Sequence, residues 1–200
     1  MQDCYLEPAG LSDVAALHGL CCLPDVYRFL FDGSPPDRTL VTERIERSVA
    51  GRERHGFGLW LLRHPEYPVA GAVDIADGAA SRSRTLTYLL HPGLWGRGLA
   101  FQMAASAVCK AFEDPDVDLV IADADGENAA SRVIIERLGM SFRRVTDFPL
   151  GPGVEYGIAR CDWGPDPVPA LLEMRGILPA FDCFPVRIGG QFPPTGSLSA

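Results

Sequence analysis

Between a strand-like run, RTLTYLL at 84–90, and a long apolar helical stretch, LAFQMAASAVCKAF at 99–112, the chain sets Trp95-Gly96-Arg97-Gly98. Two glycines at a helix start are costly unless the backbone takes a positive φ or something approaches it closely. A helix start also offers unpaired N–H groups and the positive end of the helix dipole, which together hold anions, phosphate above all. Arg97 adds a guanidinium that matches phosphate geometry. Three readings stand at this point: a phosphate cradle, a dinucleotide fingerprint followed by a strand ending in Asp123 and Asp125, and a purely structural turn. The fingerprint puts its turn directly after the strand, whereas PGLW intervenes here and its third small residue is the bulky Phe101. No Gly-Lys-Ser/Thr follows, which excludes a nucleotide P-loop.

Periodicity around this loop predicts a mixed sheet with helices on both faces. CYLEP opens as a short strand, followed by a helix capped by Ser12 or Asp13. PDVYRFLFDGSPPD reads as a short apolar segment broken by Gly33, Pro35 and Pro36. A helix from about Thr39 to Arg54 carries Leu40, Ile45 and Val49 on one side. Strands are expected at 56–63, 68–76 and 84–90, then the long helix. DPDVDLVIADAD reads as a continuously apolar strand buried on both faces. ENAASRVIIERLG makes a helix that stops at Gly139. MSFRRVTDF and GVEYGIARCDW finish as two strands. The domain therefore spans 1–163. Residues 164–200 form a Pro/Gly-rich extension with one short helical candidate at Ala170–Arg175. The extension carries too much apolar surface for a solvated tail. Phe181, Phe184 and Ile188 are expected to pack on the domain or on a second copy in a homodimer, with Pro193–Ala200 mobile.

A net charge of −8 argues against nucleic acid as a partner and leans toward a cationic substrate such as an amine. The six cysteines (Cys4, Cys21, Cys22, Cys109, Cys161 and Cys183) form no CxxC and no zinc spacing, so no metal is expected. His18, His55 and His64 show no ligand spacing and read as surface residues. MQDCYLEP has no basic and apolar leader pattern, and no apolar run reaches the roughly 20 residues of a membrane span. A cytoplasmic chain with reduced thiols and no membrane partner is the expectation.

Two spaced segments decide among the readings of the glycine loop. Trp95-Gly96-Arg97-Gly98-Leu99-Ala100 resembles the Q/R-x-x-G-x-G/A signature of the GNAT superfamily of acyl-CoA N-acyltransferases. Tryptophan in first place is the form usual in the branch of ribosomal-protein N-terminal acetyltransferases of the RimJ and RimL type. NAASRVIIERLGM is similar to the second signature at Asn128, Ser131, Glu136, Arg137, Leu138 and Gly139, with Met140 replacing an aromatic. YGIARCDW resembles the closing strand of that branch.

The resemblance implies a GNAT-type fold and acetyl-CoA as cosubstrate, with transfer by direct attack of a primary amine on a small molecule or a protein N-terminus. It places the CoA pyrophosphate on the 95–100 loop and pantetheine beside the strand holding Tyr88, Leu89 and Leu90. The N–H of Leu90 or a neighbour would polarise the thioester carbonyl, and Asn128 would meet the pantetheine amides unless it simply caps its helix. Ser131 stands where the thiolate's proton donor is expected. Ile135 occupies the place of a tyrosine that serves other members. The branch's glutamates are replaced by Thr85 and Gln102, so the general base must come from elsewhere; Asp74, Asp77, Tyr88 and His91 are the candidates. Missing carboxylates also keep open a non-catalytic CoA sensor with this fold.

Overall fold

The computed structural model describes residues 4–149, 151–164 and 172–175. Strand β1 (Tyr5–Pro8) leads through a 3₁₀ turn (Leu11–Asp13) into helices α1 (Val14–Cys21), α2 (Pro24–Leu30) and α3 (Arg38–His55). Strands β2 (Leu59–His64), β3 (Tyr67–Asp77) and β4 (Ser83–Leu90) follow, then α4 (Leu99–Glu113), β5 (Leu119–Asp125) and α5 (Ala129–Arg137). The hairpin β6 (Ser141–Phe148) and β7 (Gly151–Ala159) precedes a last short strand, β8 (Glu173–Met174). Helix α2 replaces the broken apolar segment expected from the sequence. Pro24 starts it with a preset φ, and Asp32 and Gly33, at φ 51 and 76, follow its end.

The strands form one sheet in the order β6-β7-β5-β4-β3-β2-β1-β8. Pairs β4–β5 and β1–β8 are parallel, and the others antiparallel. Helices α4 and α5 cover one face, packing on Trp60, Leu62, Val73, Leu86 and Val120. Buried Ala104, Ala105, Ala107 and Ala111 let α4 lie close to the strands. Helices α1, α2 and α3 cover the other face through Val14, Leu17, Val26, Val41 and Ile45, against Leu59, Leu61 and Ala72.

Three details depart from the sequence pattern. The buried stripe of α3 is Val41, Ile45 and Ser48, while Leu40 is exposed. Ser48 is tolerated there because its Oγ accepts the Leu59 N–H at 2.6 Å and Arg52 Nη1 at 2.8 Å. Strand β5 alternates: Val120, Ala122 and Ala124 are buried under the helices, whereas Asp123 is exposed on the opposite face. His64 is buried, its Nδ1 accepting the Glu66 N–H at 3.1 Å.

Of the helical candidate at Ala170–Arg175, residues 172–175 are described, and Glu173–Met174 form strand β8 instead. Pairing with β1 covers that strand's open edge, and the Arg175 N–H donates to the Leu6 carbonyl at 2.8 Å. Leu172 and Met174 pack against the core, and the Leu172 N–H donates to Ser106 Oγ of α4 at 3.1 Å. Ala170, Phe181, Phe184, Ile188 and Pro193–Ala200 lie outside the described residues. No helix among the described residues is long and apolar enough to cross a membrane.

Candidate active site

The one parallel contact inside the sheet opens a gap. Strands β4 and β5 pair only at Ser83–Thr85 with Leu119–Ile121. Beyond that, β4 continues on β3 as far as Leu90 and β5 continues on β7 as far as Asp125. Leu86–Leu90 and Ala122–Asp125 thus line the two sides of an opening within the sheet. The His91 N–H donates to the Ala70 carbonyl at 2.8 Å. Antiparallel hydrogen bonding alternates along a strand, so the N–H and C=O of Leu90 point away from β3, toward the opening. The Leu90 carbonyl is met there by Trp95 Nε1 at 3.0 Å, which fixes the half-exposed indole over the end of β4.

At the same end lies the glycine loop. Gly96 and Gly98 take φ 74 and 76, and Gly98 is the residue before the first turn of α4. A Cβ at either position would meet nothing within 4 Å, so the left-handed backbone, and not crowding by the protein, requires glycine. A branched residue there costs roughly 1–2 kcal/mol. Arg97 between them is exposed. Gly98 offers no capping side chain, so the leading N–H groups of α4 face the open side of the loop.

Tyr88 and Ser131 meet across the gap. The Tyr88 hydroxyl lies 2.8 Å from Ser131 Oγ and donates to the Ser131 carbonyl at 3.1 Å. Burial pushes the Tyr88 phenol up to about 12, against a smaller opposing effect of the Ser131 bond. Tyr88 therefore keeps its proton at neutral pH. Asn128 Oδ1 accepts the Ser131 N–H at 3.1 Å, so the asparagine caps α5 and leaves its amide nitrogen for other contacts. Gly139, at φ 80, ends the helix. Ile135 is fully buried, and the phenol near the start of α5 comes from β4 instead.

The remaining carboxylates and His91 stand apart from this pair. Asp74 accepts Arg44 Nε at 3.0 Å on the α3 side of the sheet. Asp77 lies 3.4 Å from Arg84. His91 Nδ1 accepts the Gly93 N–H at 3.1 Å, with its ring 4.1 Å from that of Tyr67. Asp123 and Asp125 border the gap, on the face of β5 turned away from α4. Partial desolvation first, then Glu155, raises the Asp123 carboxyl above its ordinary range; desolvation, then Asp32 and Glu127, raises Asp125. The alternation of alanine and aspartate over Ala122-Asp123-Ala124-Asp125 is the sequence signal for this placement. On the same face, a cavity of about 1010 Å³ is lined by residues of α3, by Thr87 and Leu89 of β4, and by Phe31, Pro35 and Pro36 between α2 and α3.

A sheet opened between β4 and β5, with a glycine loop and a helix start at its mouth, coincides with a known family model. The acetyltransferase (GNAT) domain model matches residues 4–141. The chain belongs to the GNAT acetyltransferase family. Spermidine N-acetyltransferase from Vibrio cholerae, solved with CoA and spermine, superimposes with a TM-score of 0.67 at 15% identity, covering 80% of this chain and 98% of that one. The ribosomal-protein-S5-alanine acetyltransferase from Vibrio fischeri gives 0.67 at 12%, covering 82% and 97%. An aminoglycoside acetyltransferase in complex with coenzyme A gives 0.64 at 18%, covering 80% and 96%. These likenesses establish the GNAT fold; the acceptors differ from one to the next.

Proposed function

We propose that this GNAT protein transfers the acetyl group of acetyl-CoA to a primary amine by direct attack. The observation that carries the reading is the Tyr88–Ser131 hydroxyl pair, placed at a gap in the sheet whose mouth is the glycine loop. In this reading Trp95, Gly96, Arg97, Gly98, Leu99 and Ala100 take the pyrophosphate. The chain 1–163 is the catalytic domain, and 164–200 contributes β8.

The pantetheine arm enters the gap, where the Asn128 amide nitrogen donates to it and the Leu90 N–H polarises the thioester carbonyl. A neutral amine attacks from the α3 side, forming the N–C bond. Collapse of the tetrahedral intermediate breaks the C–S bond, and the departing thiolate takes a proton from the Tyr88–Ser131 pair. Tyr88 keeps its proton at neutral pH and so does not serve as the base; its hydrogen bond to Ser131 places a hydroxyl proton at the departing sulfur. Asp123 and Asp125 accept the amine's proton, directly or through water. Their raised pKa values make them better bases than an ordinary surface carboxylate.

Thiol release from acetyl-CoA, measured across a panel of amines and peptide N-termini, tests the transfer. A thermal shift with acetyl-CoA and amine-dependent thiol release are expected. A thermal shift with no release for any amine or peptide would favour a CoA-binding sensor, and no shift would contradict the cosubstrate.

A further inference from the structure

The large cavity on the α3 side holds an arginine that the acetyl-transfer chemistry leaves unused. Its walls are chiefly apolar, with Leu17, Phe31, Pro36, Val41, Phe57 and Leu89 among them. Inside it Arg44 reaches from α3 to Asp74 of β3, Nε to Oδ2 at 3.0 Å. The Asp74 side chain is 10% exposed and that of Arg44 33%. Removing a carboxylate from water demands a partner, and Arg44 meets that demand with one of its five N–H donors. Among the described residues, its Nη1 and Nη2 groups make no hydrogen bond. Asp74 thus holds one edge of the guanidinium and leaves the fork to the cavity. A free guanidinium fork matches the two oxygens of a carboxylate.

Arg84 also lines the cavity, but Asp77 lies 3.4 Å from it and its guanidinium sits over the Phe57 ring. Burial pushes the Cys21 thiol up to about 12, so it stays protonated. The lining carries Arg47, Arg54 and Arg84 together with Asp32, Glu46 and Asp77, which gives it both signs of charge and no one-signed field for a polycation. Thr87, the cross-strand partner of Asp74, and Leu89 also line the cavity and flank Tyr88 on β4. A ligand anchored at Arg44 therefore lies against the strand that borders the gap.

We propose that the acceptor is an amine that also bears a carboxylate on an apolar frame, an amino acid or a close analogue, and that Arg44 binds the carboxylate. This rests on the reading of the chain as an acetyltransferase. The test compares matched pairs that differ in the carboxylate alone: phenylalanine with phenethylamine, tryptophan with tryptamine, 6-aminohexanoate with hexylamine. Binding is followed by calorimetry with CoA present, and turnover by thiol release, in the wild type and in Arg44→Lys. Lysine preserves the charge facing Asp74 and loses the fork, and the acetyl-CoA-induced thermal shift reports whether the variant is folded. Losing a charge-assisted bidentate contact should weaken the carboxylate-bearing member of a pair by about 10- to 100-fold. The wild type should prefer that member, and the preference should collapse toward one in Arg44→Lys.

Carboxylate binding that depends on Arg44, without turnover of any amine, would leave the anchor standing and sink the acetyl transfer. Equal use of both members by the wild type would sink the anchor and leave the transfer intact. An unchanged preference in a folded Arg44→Lys would do the same, as would failure of every carboxylate to bind.

Discussion

The two faces of the sheet are built by different means. On the α4 face, the features that would receive a cosubstrate belong to the backbone: two left-handed glycines, the start of a helix and a β4–β5 ladder that stops at Thr85. On the α1–α3 face, charged side chains from distant segments do the organising. Arg44 meets Asp74, Arg63 meets Glu7 and Asp13, and Glu155 holds both Arg143 and Arg144. Backbone recognition suits the part of the reaction that all members of the family share. Side-chain recognition suits the part that varies, since a side chain changes without disturbing the fold.

The largest effect is expected at the backbone. Gly98→Val forces a branched side chain to φ 76 at the start of α4. Acetyl-CoA affinity should fall by about 100-fold or more, given a backbone strain of roughly 1–2 kcal/mol together with the projecting methyls. Circular dichroism and calorimetry check that a folded variant has lost the ligand. Undiminished affinity would remove the glycine loop from the cosubstrate side.

Next come the hydroxyls at the gap. Ser131→Ala and Tyr88→Phe should each lower kcat by roughly 10- to 100-fold with the acetyl-CoA Kd nearly unchanged, as for groups acting chiefly in the transition state. Because the two share a hydrogen bond, the double variant should lose less than the product of the single losses. An unchanged kcat in both would leave Ser131 as a helix residue and nothing more.

Two smaller effects concern stability. Truncation after Trp163 removes β8 and uncovers the β1 edge, and should cost about 2 kcal/mol, with Leu172 and Met174 losing their packing. Thermal melting gives the cost, and a changed elution volume would reveal that the extension packs on a second copy. An identical Tm and elution volume would mean that β8 adds nothing. Glu155→Gln should cost about 1 kcal/mol at neutral pH. Burial opposes the Glu155 charge, but Arg144 and Arg143 outweigh it and hold the carboxyl below its ordinary range. A lowered folded pKa stabilises the protein above the unfolded value, and that stability is lost as pH falls through the folded one. The Tm difference between Glu155→Gln and wild type should therefore narrow on acidification. A difference that stays constant with pH would assign it to packing.

What was legible in the sequence follows the same division. Gly96, Gly98 and Gly139 announce positive φ by being glycine at helix ends, and Asn128 announces a cap, because these are local demands. Helix α2 was hidden by the glycine and prolines beyond it, although Pro24 was a fair sign of its start. Arg44 escaped notice because a charged residue on a helix reads as a solvated one. Its place beside the Val41–Ile45–Ser48 stripe was the available signal. The pairing of Tyr88 with Ser131, and of β8 with β1, joins residues far apart in the chain, and no local pattern encodes it.

A crystal structure of the protein with acetyl-CoA tests the division between the faces most directly. The pyrophosphate should lie on the N–H groups of the 95–100 loop, pantetheine in the gap between β4 and β5, and the thioester sulfur near the Tyr88–Ser131 pair. The Arg44 cavity should hold no cosubstrate. Acetyl-CoA seated in that cavity, or bound with the β4–β5 gap unused, would contradict that division.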